Sequence, residues 1–177
     1  MKNIAMTAAV LLLAGCTAGT SFDTGRSSVN SSRLRFATIA GGRDMHTVIA
    51  GNPFAVPDDA FASAVTTTLN ARNSRVQSNF TTTPGPSARP GFRLVLVFNQ
   101  TGRSLSSAVC ESPDALPLDP EARPIRLHIA FCQGDSDITG IRGRLAAANG
   151  PDDPRFQDFL AQALQLSQPT GVFRVGD

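Results

Sequence analysis

The sequence predicts an α+β fold, a two-layer sandwich in which a mostly antiparallel sheet carries two helices on one face, in the order ββαβ(β)ββα. Three observations predict it. Residues 92–99 and 125–132 alternate between two sets of side chains with period two, the pattern of strands that turn one apolar face to a core. Residues 57–71 and 154–164 repeat apolar side chains every three or four positions, as helices with one apolar stripe do. Two such stripes fit best on one face of one sheet.

Taken in order, Leu34, Phe36 and Thr38 alternate with Arg35, Ala37 and Ile39, so residues 34–40 read as a strand. Gly41-Gly42 suits a tight hairpin turn, and Met45 to Ala50 then returns as a second strand, closed by Gly51-Asn52-Pro53. Pro57 suits a first helical position and Asp58 and Asp59 complement the positive helix start, while Phe61, Val65 and Leu69 recur at four-residue spacing. Residues 72–91, polar and then rich in Thr, Pro and Gly, are a long loop that cannot be helix. Phe92, Leu94, Leu96 and Phe98 share one face of the clearest strand, opposite Arg93, Val95 and Val97. A Gly102 turn precedes a brief strand over residues 104–110, and Pro113, Pro117, Pro120 and Pro124 stiffen the connector that follows. Ile125, Leu127, Ile129 and Phe131 alternate with Arg126, His128, Ala130 and Cys132. The turn cluster 133–137 leads to a return strand over 138–145, with Ile141 and Leu145 inward and Arg142 and Arg144 outward. Asp153-Pro154 is a cap followed by a first helical position, ahead of Phe156, Phe159, Leu160, Ala163 and Leu164. Val172 to Val175 either adds an edge strand or stays loose.

A chain of 177 residues holds one domain with a real core. Its basic residues are fifteen Arg and a single Lys, Lys2, and its net charge is only +2. That balance is far from what binding a phosphate backbone requires, so nucleic acid is excluded as a partner.

The N-terminus runs from Met1-Lys2 through an apolar stretch, Ile4 to Leu13, to small residues and Cys16. The stretch is about half the roughly twenty residues that a spanning helix needs, which is the grammar of a cleaved signal. Leu13-Ala14-Gly15-Cys16 resembles the lipobox of bacterial lipoproteins. The resemblance implies cleavage before Cys16 and acylation of that cysteine, palmitate included, by the lipoprotein processing and sorting machinery. Several acyl chains make an effective anchor where one does not. Thr17 in place of Asp favours the outer membrane, on its periplasmic face, over the inner membrane. The expected organisation is a signal peptide over 1–15, lipidated Cys16 and a flexible Ser-rich tether over 16–32, and a single periplasmic α+β domain over 33–177.

With Cys16 assigned to lipid, Cys110 and Cys132 remain, and in an oxidising compartment such a pair reads as a disulfide. A metal or redox role would need ligands that neither a Cys-x-x-Cys motif nor a His pair supplies. Residues 135–140 resemble the start of an EF-hand calcium loop, but Ala146 stands where its bidentate Glu belongs. No cofactor or metal is expected.

The strand phases put Arg93, Arg126, His128, Arg142 and Arg144 on the sheet face away from the helices. Such a face is either an ordinary solvated surface or a candidate anion-binding surface, since guanidinium forks grip phosphates and carboxylates bidentately. His46 and His128 are the only histidines, and no nucleophile elbow, phosphate loop or dinucleotide fingerprint selects a catalytic residue. The expectation is a non-catalytic, lipid-anchored interaction or assembly module with an envelope protein as partner. A small-molecule or lipid-binding lipoprotein and a hydrolase are the alternatives.

Overall fold

A computed structural model describes residues 19–24, 33–74, 76–102 and 106–168. The expected signal peptide, Cys16 and the expected strand at 172–175 lie outside the described residues. The fold is α+β, with strands β1 (Thr20–Thr24), β2 (Asp44–Ala50), β3 (Asn79–Thr81), β4 (Phe92–Phe98), β5 (Ile125–Gln133) and β6 (Ser136–Leu145). The helices are α1 (Arg33–Ala40), α2 (Asp58–Arg72), α3 (Ser106–Glu111) and α4 (Pro154–Ser167). The strands form one sheet in the order β1-β6-β5-β4-β2-β3, antiparallel from β1 through β4 and parallel where β2 joins β4 and β3.

The long strands and helices form where their periodicity puts them. Leu94, Leu96, Phe98, Ile125, Leu127, Ile129, Phe131, Ile141 and Leu145 face the stripes of α2 and α4 in the main core. Phe156 is its hub, with ring centroids 5.0 Å from Phe54, 5.9 Å from Phe98 and 6.0 Å from Phe61. The Asp153 side chain accepts from the Arg155 amide and caps α4, with Pro154 in its first turn. Pro57 stands just before α2 instead of inside it.

Four expectations are corrected. Residues 33–40 are helix α1, not a strand. Gly41 and Gly42, read as a hairpin turn, end that helix: the Gly41 amide donates to Ala37 O at 2.9 Å, and Gly42 takes φ +66°. With no hairpin partner, β2 is followed by the α2 crossover and pairs in parallel with β4. Residues 106–111 are helix α3, not a brief strand, and lie on the sheet face opposite α2 and α4. Inside the long 72–91 loop, Asn79–Thr81 pairs with β2; Asn70 of α2 holds it by accepting from the Phe80 amide at 2.7 Å and donating to Phe80 O at 3.0 Å.

The fourth correction concerns the tether. Residues 20–24, assigned to it, are β1, the edge strand paired antiparallel with β6. Phe22 stacks on Phe159 of α4 at 5.3 Å, both rings lying over Gly143, where an added Cβ would come within 2.6 Å of Phe22. A glycine in β6 therefore makes the seat for β1. Residues 25–32 of the same stretch lie outside the described residues.

Candidate functional site: the arginine cleft

Strand side chains alternate between faces, so the register of β1, β6, β5 and β4 decides what meets on the side away from α2 and α4. Ser21, Arg144 and Arg126 stand opposite one another in one row. The next row runs Asp23, Arg142, His128 and Val97. Apart from Ser21, these two rows line a cleft of about 670 Å³ together with Gln100 and Gly102. Four of the five residues expected on this face thus come together, and Asp23 joins them.

Arg93 does not. It lies four positions before Val97 on β4, donates to the Cys110 carbonyl and forms an ion pair with Asp135 at 3.7 Å. Its work is to tie α3 and the β5–β6 turn to the sheet. His46 lies opposite Arg93, four positions along β4 from Val97, the residue opposite His128. The two histidines do not form a pair.

The face is also less open than strand phasing alone implies. Beyond Val97 and His128, the residues Val95, Ala130 and Cys132 are buried beneath Val109 and Cys110 of α3, with Leu116 and Leu118 of the Pro-rich connector alongside. The Cys110–Cys132 disulfide, with Cα atoms 5.7 Å apart, fastens this cover to β5. Among the described residues, Arg126, Arg142 and Arg144 on the β1 side stay exposed, while Val97 and His128 are buried. Asn99 shapes the end of this face: in the left-handed region at φ +52°, which Asn tolerates, it ends β4 ahead of Gln100. Its Oδ1 accepts from the Arg126 amide at 2.8 Å and its Nδ2 donates to Pro120 O and Ala122 O.

Electrostatics sets the character of the cleft. Arg126, Arg142 and Arg144 are exposed, and among the described residues the one acid lining the cleft is Asp23. Arg126 and Arg144 are direct cross-strand partners, an arrangement of like charges that destabilises a sheet unless an anion is shared between them. His128 is only 4% exposed, and its Nδ1 is buried without a hydrogen-bond partner. Burial, and secondarily the Arg142 charge across the strand, depresses the imidazole to about 4, so it is neutral at ordinary pH. Chemically the cleft offers positive guanidinium forks and a neutral imidazole, suited to holding an anion.

Among the described residues no cluster of His, Cys, Asp or Glu is arranged to hold a metal ion. The stretch likened to an EF-hand is instead the tight β5–β6 turn, with Gly134 at φ +58° and the start of β6. Sequence reasoning missed Asp23 and Gln100. The first sits in a segment with one apolar residue, Phe22, and the second follows the strand end where alternation stops.

Neither a protein-family model nor a curated protein matches the chain. Among solved structures, two crystal forms of the PelC dodecamer from Paraburkholderia phytofirmans are similar, both at 11% sequence identity. They align with TM-scores of 0.43 and 0.42 over 86% of this chain and 98% and 99% of theirs.

Proposed function

We propose that this chain is a lipid-anchored envelope protein, acylated at Cys16 and held at the outer membrane, whose domain is a non-catalytic interaction or assembly module working through the arginine cleft. The observation that carries the reading is the exposed Arg126–Arg144 pair. A sheet gains nothing from facing guanidinium groups, whereas an anionic partner bridging them converts the repulsion into two charge-assisted contacts. The Cys110–Cys132 disulfide is in keeping with an oxidising compartment, and the lipobox-like Leu13-Ala14-Gly15-Cys16 supports the anchor.

Chemical crosslinking of intact envelopes followed by capture of the full chain tests the reading. The same envelope component should be recovered with the native chain and lost with Arg126→Ala plus Arg144→Ala. Undiminished capture by that variant removes the cleft from the function. Cys16→Ser should abolish acylation and leave a soluble or unprocessed protein; membrane retention with normal processing in that variant overturns the anchor.

A second reading, a small-molecule carrier, is favoured by the size of the cleft, since 670 Å³ falls within the range of sites for small ligands.

A further inference from the structure

Three facts about the cleft and its place in the chain go together. First, the fold captures the chain very soon after Cys16: the Ala146 amide donates to Gly19 O at 3.2 Å, and β1 begins at Thr20. Only Thr17 and Ala18 separate Cys16 from that hydrogen bond. Three residues reach at most about 11 Å even when fully extended. Second, β1 enters the sheet at the Arg126–Arg144 end. Thr20 is opposite Leu145, and Ser21 begins the row that continues through Arg144 to Arg126. With strands spaced about 4.8 Å apart, Arg126 lies only about 10 Å across the sheet from Ser21. Third, the described residues lining the cleft include three arginines against one acid.

We propose that the arginine cleft grips the phosphate of an anionic phospholipid in the leaflet that holds the Cys16 acyl chains, so that the domain lies against the membrane instead of standing off it. The proposal rests on the lipid-anchor reading above and names the anion. Arginine forks match phosphate oxygens bidentately. The surface potential of an anionic leaflet acts within a Debye length of about 8–10 Å. A seventeen-residue tether would carry the cleft beyond that range; a tether of two residues keeps the cleft end of the sheet at the surface.

The test uses the full chain with Cys16→Ser, so that binding does not depend on acyl chains and the leader is common to every sample. Co-sedimentation is measured with vesicles of phosphatidylcholine alone and with vesicles containing phosphatidylglycerol, at low and at raised salt. Each arginine at an anionic surface contributes roughly fivefold to partitioning. Phosphatidylglycerol should therefore strengthen binding at low salt, and Arg126→Ala plus Arg144→Ala should weaken it about thirtyfold. Raised salt should erase the difference. Arg126→Lys plus Arg144→Lys, which keeps the charge but loses the bidentate forks, should bind more weakly than the native chain and more tightly than the alanine variant; binding as weak as that of the alanine variant, with an unchanged thermal midpoint, counts against a charge-driven grip on a lipid surface. Inorganic phosphate forms a separate arm, read as a shift in thermal midpoint. Equal binding to both vesicle types, or phosphatidylglycerol binding that survives the double alanine change, overturns the proposal. So does a large stabilisation by millimolar inorganic phosphate without vesicle binding, which assigns the cleft to a free phosphate. Loss of crosslinked envelope capture in the alanine variant, with vesicle binding absent throughout, sinks the lipid ligand alone and leaves the interaction module standing.

Discussion

Lowering the pH from 7 to 5 should destabilise this protein by about 2 kcal/mol through one side chain, His128. The unfolded chain presents an ordinary imidazole that takes up a proton below its usual value of 6.5, whereas in the fold protonation waits until about 4. Between those two values the unfolded state binds more protons than the native state, so acid favours unfolding. Stability is fully present above 6.5 and is lost as the pH falls toward 4. A gap of that size contributes about 2 kcal/mol by pH 5 and about 3 kcal/mol by pH 4. Asp153, hydrogen-bonded by Arg155 and by the Asn149 and Arg155 amides, and Asp44, hydrogen-bonded by Asn79, Gly85 and Ser87, are both held below the usual 3.8. They withdraw their stabilisation only as the pH falls below that value. The assay is urea unfolding at pH 7 and pH 5 for the native chain and for His128→Leu, which keeps an apolar group of similar bulk at the buried position. The native chain should lose about 2 kcal/mol and His128→Leu should lose almost none. An identical loss in both proteins refutes the assignment to His128. So does an imidazole resonance of His128 that titrates near 6.5 in the folded protein.

Three further outcomes follow from the packing. Replacing Cys110 and Cys132 by Ser opens a loop with a sequence separation of 22 residues and should lower unfolding stability by about 3 kcal/mol, measured under non-reducing conditions. Gly143→Val places a side chain where Phe22 and Phe159 stack; overpacking of this kind costs about 1–3 kcal/mol, and hydrogen exchange should show the amides of Thr20–Thr24 losing protection before the rest of the sheet. Phe156→Ala removes the hub between Phe54, Phe61 and Phe98 and should cost about 3–5 kcal/mol by chemical denaturation.

The floor of the cleft was legible in the sequence because strand pleating needs no tertiary information. Once residues 92–98 and 125–133 alternate, Arg126 and His128 must oppose the core face, and Arg142 and Arg144 follow by pairing. What the sequence concealed depends on contacts made at a distance. Residues 34–40 alternate well enough for a strand and contain nothing that forbids a helix, and Gly41-Gly42 ends either one; the choice falls to burial of Ile39 and Ala40 in the main core. Thr20–Thr24 offers only Phe22 as an apolar signal, and its pairing needs a glycine in β6. Val95, Val97 and Ala130, on the face expected to be open, are covered because a disulfide lays α3 over them. Cysteine counting foresaw the bond but not the surface it would hide.

The pairing of β1 with β6 also bears on the order in which the molecule can be finished. A ribosome releases Thr20–Thr24 early, yet the strand that receives it, Ser136–Leu145, is made more than a hundred residues later, and the Phe159 ring that clamps Phe22 later still. Such distant pairing is slow to form because the intervening chain must first be organised. β4, β5 and β6 pair in sequence order with one another, so β1, whose partner is the last strand made, is expected to dock after them. Its arrival brings Asp23 to the cleft and draws the chain segment next to Cys16 onto the fold. A chain stalled before that docking has Arg126, Arg142 and Arg144 in place but lacks Ser21 and Asp23 beside them, so late strand pairing sets the charge balance of the cleft.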